Sequence, residues 1–599
     1  MTAILGLNAF HGDAAAALVI DGELVAAAEE ERFNRVKHCA GFPVLAARWC
    51  LEDAGVEPGQ LDHVAIGRDP KANGGAKLRR MVTRPPSPAS VLSRARNAAR
   101  VGAGGARGAL AGAFGVPESS LTATMHAVEH HQAHVASAFL VSPFDDAAVL
   151  SVDGFGDFTS TMLATGSGSS VEVLDRVLFP HSMGIFYTAI TQWLGFPHYG
   201  DEGKVMGLAP YGDPERFLPA MRKIAVTDDG LFALALEHFT HHTKGVELTW
   251  DAGSPTVGRI FSTRLEDELG PSRAAGEELA ARHNDVAAAV QVRLEELILH
   301  VTGVLAKRTG SKKLCLAGGV ALNAVANGRI RLETPFEELY VQAAAGDSGT
   351  AIGAAFHVWN RTLGKPRRFV MRHAYTGPAY DDSRIEAALA AADLPYERLD
   401  DEELFPSVAE RLAAGDVVGW FQGRMEMGPR ALGNRSILAD PRSTEMKDIL
   451  NARVKHREPF RPFAPSILAE ATGEWFDQSY TSPFMVLVYD VLPEKRALVP
   501  AITHVDGTGR LQTVEEDASP RYYRLISEFD RLTGVPILLN TSFNENEPVV
   551  MSPEHALDTF GKTRIDLLVL GNYVVRREGG SSATNSRAAT SAVVETSQE

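Results

Sequence analysis

The chain has 599 residues, of which 45% are hydrophobic and 22% are charged, and it carries a formal net charge of −16. This composition excludes a wholly disordered, collagenous or coiled-coil protein, and the length predicts at least two compact domains. The negative charge offers no chain-wide attraction for a DNA or RNA backbone, so nucleic acid is not expected as a partner.

The compartment is predicted from the cysteines and from the apolar runs. Cys39, Cys50 and Cys315 are too few and too scattered for a disulfide framework or an all-cysteine zinc site. The first residues form a strand-like pattern rather than a signal peptide, and no apolar run approaches the ~18 residues that a membrane span needs. We therefore expect a cytoplasmic protein with no membrane partner.

The first part of the chain alternates predicted strands with predicted helices, which indicates an α/β domain over residues 1–363. A long amphipathic helix is predicted over 284–308, and the two strands after it each lead through a Gly-rich turn into a helix. No internal repeat of fixed period is visible. The predicted strands of this domain lie at 3–7, 15–21, 24–29, 63–66, 147–152, 313–317 and 339–343.

Composition marks the remaining boundaries. Residues 71–114 are rich in Arg, Pro, Ser, Gly and Ala and predict a surface insertion that is partly helical. Residues 364–380 show neither helical nor strand periodicity and predict a linker. A second domain is predicted over 381–577, and the small polar residues of 578–599 predict a disordered tail.

Four side chains in the first domain predict a metal site. His130 and His134, in EHHQAHVASAF, are four residues apart and share one helix face. Asp153 follows a predicted strand in SVDGFGD, and Asp347 lies in the turn AAGDSGT. Histidines on a helix also satisfy ordinary polar contacts, but a mixed nitrogen and oxygen set suits Fe, Mn or Zn better than Ca.

Three Gly-rich loops, DGFGD, GGVALN and GDSGTAIG, follow predicted strands of the same domain. Loops of this kind can present backbone N–H groups to the phosphates of a nucleotide, although each loop alone is also explained by ordinary turn chemistry. The candidate nucleotide-binding residues are Gly154, Gly318, Gly319, Asn323 and Gly346.

The second domain carries a dense basic cluster in GRMEMGPRALGNRSILADPR and NARVKHREPFRPFAPSIL. Because these cations lie among Gly and apolar residues, a pocket for phosphates or carboxylates is favoured over a solvated basic face. Arg510, Asn540, Thr541, Ser542 and Asn544 follow, the last four just after an apolar strand, where α/β sheets bind ligands. The members of the cluster are Arg424, Arg430, Arg435, Arg442, Lys455, Arg457 and Arg461.

Several blocks of the sequence together resemble the O-carbamoyltransferase family, whose members modify antibiotics and Nod factors. The blocks are AAAEEERFNRVKH, HHQAHVASAF, EGKVMGLAPYG, GGVALN, GRMEMGPRALGNRSIL, RPFAPSIL and LLNTSFN, and the resemblance runs from about residue 3 to 576. It implies an N-terminal domain of the ASKHA type, similar to actin and the sugar kinases, and a C-terminal YrdC-like domain.

The resemblance also implies a transferase activity (EC 2.1.3.-) and its substrates. The YrdC-like domain would use carbamoyl phosphate and ATP, with Mg²⁺, to form carbamoyladenylate. The N-terminal domain would pass the carbamoyl group to a hydroxyl of a secondary metabolite or sugar, as in antibiotic biosynthesis, and AMP would leave. Because carbamate and its adenylate are labile in water, a buried passage between the two domains is expected.

The resemblance implies roles for individual residues as well. Arg430, Lys455 and Arg461 would act in catalysis on carbamoyl phosphate and the adenylate, with Arg510, Asn540 and Ser542 as binding residues. Arg424 and Arg435 are further candidate binding residues because they belong to the basic cluster. His130, His134, Asp153 and Asp347 would hold Fe²⁺ or another divalent metal.

Two further catalytic candidates lie near the start of the chain. The family commonly reads His-Asp before small residues, whereas this chain reads AFHGDAAAAL, so His11 and Asp13 depart from that pattern by one residue. Lys37, in RVKH, matches more closely and is a candidate for contact with the nucleotide or the acceptor. The alternative for Lys37 is a surface lysine.

Other functions remain as alternatives at this point. A hydrogenase-maturation carbamoyltransferase would need a Cys-rich region that this chain lacks. A tRNA-modifying enzyme would need a basic tract that follows an RNA backbone. A non-catalytic ATP-binding switch on the actin-like fold is the alternative from a different class. The expected partner is a small acceptor with a free hydroxyl, and a homodimer is the default assembly.

Overall fold

The computed structural model describes residues 1–83, 105–227, 230–245, 248–249, 255–274 and 276–577. The predicted tail over 578–599 and the middle of the predicted insertion, 84–104, lie outside the described residues. Across the described ranges, no helix combines the length and the apolar character needed to cross a membrane.

The first sheet is built from the strands that open the chain. Its order is β3-β2-β1-β4-β5, with β1, β2 and β3 antiparallel and β4 and β5 added in parallel. All six residues of β1 are buried, since both faces of this sheet are covered by other elements. The strands are β1 (Ala3–Asn8), β2 (Ala15–Ile20), β3 (Glu23–Glu29), β4 (His63–Ile66) and β5 (Thr124–Ala127).

The second sheet repeats this arrangement. β6 (Asp146–Gly156), β7 (Thr159–Ser167) and β8 (Ser170–Leu178) form an antiparallel meander. Two short ribbons follow, made of β9 (Ala225–Val226) with β10 (Ala233–Leu234) and β11 (Leu248–Thr249) with β12 (Thr256–Val257). β13 (Lys313–Ala317) and β14 (Glu338–Val341) then add in parallel, giving the order β14-β13-β6-β7-β8.

Two helices lie between the two sheets. The helix His130–Phe139 packs on β6 and β13, and the helix Thr350–Phe356 packs on β1 and β2. These helices contact each other closely at Gly353, where a Cβ atom would lie 1.8 Å from the carbonyl oxygen of Ala133. The α/β class predicted for this domain is therefore confirmed, with the two sheets and the paired helices as its centre.

The C-terminal domain contains one nine-stranded sheet in the order β15-β23-β22-β16-β17-β21-β18-β20-β19. Its core is continuous with that of the first domain. The strands are β15 (Glu397–Arg398), β16 (Val418–Phe421), β17 (Arg435–Ala439), β18 (Ala464–Leu468), β19 (Leu487–Asp490), β20 (Thr508–Val514), β21 (Ile537–Ser542), β22 (Leu567–Leu570) and β23 (Tyr573–Arg576).

The long predicted helix is present as Ala281–Thr309 and ends at Gly310, whose φ of 64° is the left-handed conformation that commonly stops a helix. The other α-helices are Glu31–Asn34, Val44–Asp53, Gly74–Thr83, Gly105–Phe114, His130–Phe139, Met183–Trp193, Glu202–Leu208, Leu218–Ile224, His241–Lys244, Thr263–Leu269, Ala324–Glu333, Thr350–Phe356, Asp382–Ala392, Asp401–Ala413, Met446–Leu450, Thr472–Trp475, Pro520–Thr533 and Pro553–Lys562.

Two segments pack more closely on the first domain than the sequence predicts. The helix Gly105–Phe114, at the end of the predicted insertion, has Leu110 fully buried and so belongs to the core. The predicted linker lacks regular structure but is docked on the first domain, since Arg367 donates to the carbonyl oxygen of Leu140 at 3.1 Å. The carbonyl oxygen of Thr376 also accepts a hydrogen bond from the N–H of Ala27 in β3, and the Thr376 hydroxyl donates to the carbonyl oxygen of Ala27.

Candidate functional site

The helix His130–Phe139 brings two imidazoles together at its first turns. Glu129 caps this helix by accepting a hydrogen bond from the backbone N–H of Gln132 at 2.8 Å. Since His130 and His134 are four residues apart, both project from one face, and their Nε2 atoms lie 3.1 Å apart. His131 points elsewhere and bonds Ser151 and the carbonyl oxygen of Thr159.

Two carboxylates from neighbouring strand ends complete the cluster. Asp153 lies where the register of β6 with β7 breaks between Val152 and Gly156, an irregularity that turns its side chain out of the ladder. Asp347 begins the turn after β14. The Nε2 atom of His130 is 3.3 Å from Asp153 Oδ2 and 3.5 Å from Asp347 Oδ1, and that of His134 is 3.6 Å from Asp347 Oδ1.

The four groups fit a divalent metal, so we name them the metal cluster: His130, His134, Asp153 and Asp347. One ligand atom from each lies within 4.8 Å of every other. Burial alone would lower the pKa of His130, but the Asp347 and Asp153 carboxylates raise it well above its usual value. Two buried imidazole nitrogens facing each other beside two carboxylates suit a shared cation, as mixed nitrogen and oxygen donors do for Fe²⁺, Mn²⁺ or Zn²⁺.

His11 lies against this cluster. Its ring stacks on that of His130 with centroids 5.4 Å apart, and its buried Nε2 atom has no hydrogen-bond partner among the described residues. Burial lowers the pKa of His11 to about 4. Asp13 faces another way, and one of its oxygens is 2.8 Å from Nδ1 of His38. The side chains of His11 and Asp13 therefore have different neighbours.

The predicted glycine loops converge on the same edge, because β6, β13 and β14 are neighbours in the second sheet. Gly318 has a φ of +92°, and a Cβ atom there would lie 2.1 Å from the carbonyl oxygen of Val152, so the glycine permits close packing of the strands. The N–H of Gly319 donates to Asp153 at 2.9 Å. Asn323 caps the helix Ala324–Glu333 by accepting from Ala326 at 3.0 Å.

The remaining two glycines also lie beside the metal cluster. Gly154 follows Asp153 directly, and a Cβ atom at Gly184 would lie 2.9 Å from the backbone of Gly154. Gly346 precedes Asp347 at the start of its turn. The structure therefore brings the predicted loop residues to the metal cluster, with Gly319 and Asn323 engaged in contacts within the protein.

A second site lies between the two domains. It is a cavity of about 270 Å³, which we call the cationic cavity, and it receives side chains from the EEERFNRVKH block as well as from the basic cluster. Its charged and polar lining includes Glu31, Arg32, Lys37, His38, Arg430, Lys447, Arg457, Arg461, Asp506, Arg510, Asn540, Ser542 and Asn544.

Two guanidinium groups in this cavity lack a counter-charge. In the described part of the chain, no residue accepts a hydrogen bond from Arg430 or Arg510, and the Nε atom of each is buried without a partner. Burial and the neighbouring Arg461 lower the pKa of Arg430 to about 10. Burial, Arg430 and Arg457 lower the pKa of Arg510 well below its usual value. Crowded cations of this kind are satisfied by a bound anion.

Three members of the predicted basic cluster lie outside the cavity. Arg435 is fully buried on β17, donates to backbone carbonyl oxygens including Asn434 at 2.9 Å, and lies over the ring of Phe421. Arg424 pairs with Asp53 at 2.9 Å, and Arg442 with the nearby Asp440. Arg424 and Arg435 were predicted to bind a ligand, but both make contacts within the protein. Arg435 holds the backbone around β17, and Arg424 holds the domain junction.

Lys455 is buried beside the cavity rather than exposed to it. Its ammonium donates to the carbonyl oxygen of Ser542 at 2.5 Å and to two oxygens of Asn544 at 2.8 Å. The strand β21 extends to Ser542, so the prediction that Asn540, Thr541 and Ser542 follow the strand is wrong. Lys455 thus positions the end of β21, where Asn540 and Ser542 line the cavity.

Sequence reasoning did not identify the residues that join the two domains beside the cationic cavity. Arg32 donates to the carbonyl oxygen of Gly428 at 2.8 Å, and Glu29 accepts from the N–H of Gly428 at 2.7 Å. The EEERFNRVKH and GPRALGNR blocks therefore meet across the domain junction. Lys37 donates to the carbonyl oxygen of Asn546 at 3.4 Å, and His38 lines the cavity beside it. The run of charged residues directly after β3 was the sequence signal that could have identified these residues.

Two family models match the chain: "Carbamoyltransferase N-terminus" over residues 3–356 and "Carbamoyltransferase C-terminus" over residues 409–577. The chain belongs to the carbamoyltransferase family. Among its relatives, nodulation protein NolNO of Sinorhizobium fredii is 40% identical over 98% of this chain and 82% of its own. NolO of Bradyrhizobium diazoefficiens is 42% identical over 76% of this chain and 80% of its own.

Solved structures resemble this chain weakly. HypF of T. kodakarensis has a TM-score of 0.30 at 13% identity, covering 59% of this chain and 47% of its own. Likeness at this level carries no inference about function. The family itself makes this protein an enzyme that transfers a carbamoyl group, which leaves the non-catalytic switch without support.

Proposed function

We propose that this carbamoyltransferase works in two half-reactions at two sites, the first of which consumes ATP. Water first converts carbamoyl phosphate into carbamate and phosphate. A carbamate oxygen then attacks the α-phosphorus of ATP, so that pyrophosphate leaves and carbamoyladenylate remains. The hydroxyl of an acceptor finally attacks the carbamoyl carbon, the bond from that carbon to the AMP oxygen breaks, and the carbamoylated product and AMP are released.

The observation that carries this proposal is the pair of unpartnered guanidinium groups, Arg430 and Arg510, in the cationic cavity. A triphosphate and carbamoyl phosphate are both polyanions, and the arginine fork matches their oxygens. Arg457 and Arg461 add positive charge beside them. Fixed cations of this kind orient the two substrates and stabilise the charge that develops on the leaving pyrophosphate.

The second step is assigned to the metal cluster. A divalent metal held by His130, His134, Asp153 and Asp347 would polarise an oxygen of the transferring group. His11 stacks on His130, and its buried Nε2 atom has no hydrogen-bond partner among the described residues, so we assign to His11 the proton of the attacking hydroxyl. This half of the mechanism needs a small acceptor with a free hydroxyl, such as a sugar or a secondary metabolite.

The contact between the EEERFNRVKH and GPRALGNR blocks supports coupling of the steps within one protein. Arg32 and Glu29 hold Gly428, two residues before Arg430, against the first domain. A labile carbamoyladenylate formed beside Arg430 is therefore made at the junction with the transfer domain, where water can be excluded on its way to the acceptor. We infer an ASKHA-type transfer domain, in keeping with its two equivalent sheets, and a YrdC-like adenylating domain.

The test is an assay of pyrophosphate and AMP with ATP and carbamoyl phosphate, in the absence of any acceptor. We expect pyrophosphate release that requires carbamoyl phosphate and is lost in Arg430→Ala. Arg264→Ala, which removes an exposed arginine far from the cavity lining, is the matched control and should behave as wild type. Wild-type protein that binds ATP but releases no pyrophosphate would contradict the two-step mechanism.

A further inference from the structure

The cationic cavity is lined by two chemically different surfaces. Its arginines form one, while the other is apolar and comes from both domains. Tyr211 and Val505 lie at the mouth, where they are 48% and 59% exposed. Together with Met206, Pro210 and Phe460, they form what we call the mouth surface.

The two domains approach each other closely at the mouth surface. A Cβ atom at Gly207 would lie 3.3 Å from the ring of Pro462 and 3.9 Å from that of Phe460. The helix Glu202–Leu208, from the first domain, therefore packs directly on the Phe460 loop of the second. A flat ligand at the mouth would contact Tyr211 on one side of this junction and Val505 on the other.

An exposed carboxylate lies at the mouth. Asp506 follows Val505 and lies near the Tyr211 hydroxyl, whose pKa is raised by burial and by the Asp506 carboxylate. A carboxylate repels phosphate oxygens but accepts hydrogen bonds from an amino group. Thr508 and Arg510 line the cavity from one face of β20, since side chains two residues apart on a strand share a face. β20 therefore begins beside the Asp506 carboxylate and runs to the unpartnered guanidinium of Arg510.

We propose that the mouth surface binds the purine base of the nucleotide, stacked on Tyr211, while its phosphates lie on Arg430 and Arg510. This inference rests on the proposed use of ATP. Exposed aromatic and aliphatic side chains at the mouth of a polar cavity gain stability by covering the face of a base. The amino group of an adenine would lie toward Asp506. Tyr211 is thus a specificity-determining residue that distinguishes a nucleoside triphosphate from other polyphosphates.

The test compares two ligands by calorimetric titration of the full-length protein: ATP, and inorganic tripolyphosphate, which carries phosphates without a base. Loss of aromatic stacking on a base weakens binding by about tenfold or more. Tyr211→Ala should therefore weaken ATP binding by that factor and leave tripolyphosphate binding unchanged, whereas Tyr211→Phe should retain both. Arg510→Ala should weaken the binding of both ligands.

The matched control is Tyr396→Ala, which removes a tyrosine that is 45% exposed and lies outside the cavity. It should bind both ligands as wild type does. The proposal is overturned if Tyr211→Ala weakens both ligands equally or neither of them. Because the readout is binding, it separates the two proposals: base-dependent ATP binding without pyrophosphate release would contradict the proposed function and support this inference.

Discussion

The metal cluster and the cationic cavity balance their charges in opposite ways. In the metal cluster, two carboxylates lie within 4 Å of two imidazoles, so the described groups already attract one another. In the cavity, Arg430 and Arg510 have no acceptor in the described chain, and neighbouring arginines repel them. We propose that a cation completes the cluster and a polyanion completes the cavity, and we therefore assign a different half-reaction to each.

The largest effect is expected from breaking the metal cluster alone. Asp347→Asn removes a charge from the ligand set, and we expect bound metal and carbamoyl transfer to fall by more than about 100-fold. Metal content by mass spectrometry and product formation with an acceptor measure this. Asp146→Asn, an exposed aspartate at the start of the same strand as Asp153, should retain both properties. Full transfer by Asp347→Asn would contradict the assignment of the metal cluster.

Removing one cation of the cavity should reduce pyrophosphate release and leave metal binding unchanged. Arg510→Ala removes a guanidinium that we assign to phosphate, and we expect kcat/KM for carbamoyl-phosphate-dependent pyrophosphate release to fall about 100-fold. Metal content should stay at the wild-type level, because Arg510 lies in the other domain. Simultaneous loss of metal and pyrophosphate release would show that the two sites are not independent.

The pH dependence of metal binding provides a further test of the difference between the metal cluster and the cationic cavity. The carboxylates of Asp347 and Asp153 raise the pKa of His130 well above 6.5, so in metal-free protein this imidazole holds a proton that a metal must displace. We expect metal affinity to fall about tenfold per pH unit below that pKa. Isothermal titration in several buffers should detect proton release, and its absence would contradict this protonation state.

The stability of the metal-free protein should decrease as the pH rises, whereas its metal affinity should increase. A pKa raised in the folded state contributes stability below the unfolded value of 6.5, and this contribution is lost as the pH rises through the folded pKa. The Tm of metal-free protein should therefore decrease from pH 6 to pH 9 relative to that of the His130→Gln variant. Parallel curves for the two proteins would contradict the expected shift.

The smallest effect on chemistry is expected at Lys455, which positions the end of β21 rather than contacting phosphate. Lys455→Met leaves the oxygens of Ser542 and Asn544 unpaired, so we expect the free energy of unfolding to fall by about 1–3 kcal/mol. Denaturant titration measures this. A variant of normal stability that has lost pyrophosphate release would instead assign Lys455 to the reaction itself.

Sequence periodicity predicted seven strands of the first domain and its long helix, because buried runs such as β1 and the stripe around Val290 carry strong patterns. It did not predict β5, β7, β8 or the two short ribbons. The members of the metal cluster could also be predicted, because the four-residue spacing of its two histidines places them on one helix face. The equivalence of the two sheets was not predictable, because it lies in strand order and leaves no fixed period in the sequence.

The basic cluster shows why the cavity was harder to predict. Arg430 and Arg435 are five residues apart in one block, yet Arg430 lines the cavity and Arg435 is buried among backbone carbonyl oxygens. Only the path of the chain from the Gly428 contact into β17 decides which guanidinium faces the ligand. Arg32 and His38 join the cavity from almost 400 residues away in sequence, a distance that no local pattern bridges.

The separation of the two half-reactions is the central claim, and one side-by-side assay tests it most directly. Asp347→Asn and Arg510→Ala are given ATP and carbamoyl phosphate without acceptor, and pyrophosphate is followed over time. We predict that Asp347→Asn releases pyrophosphate as wild type does and that Arg510→Ala does not. Loss of pyrophosphate release in Asp347→Asn, or its retention in Arg510→Ala, would contradict the division of labour between the metal cluster and the cationic cavity.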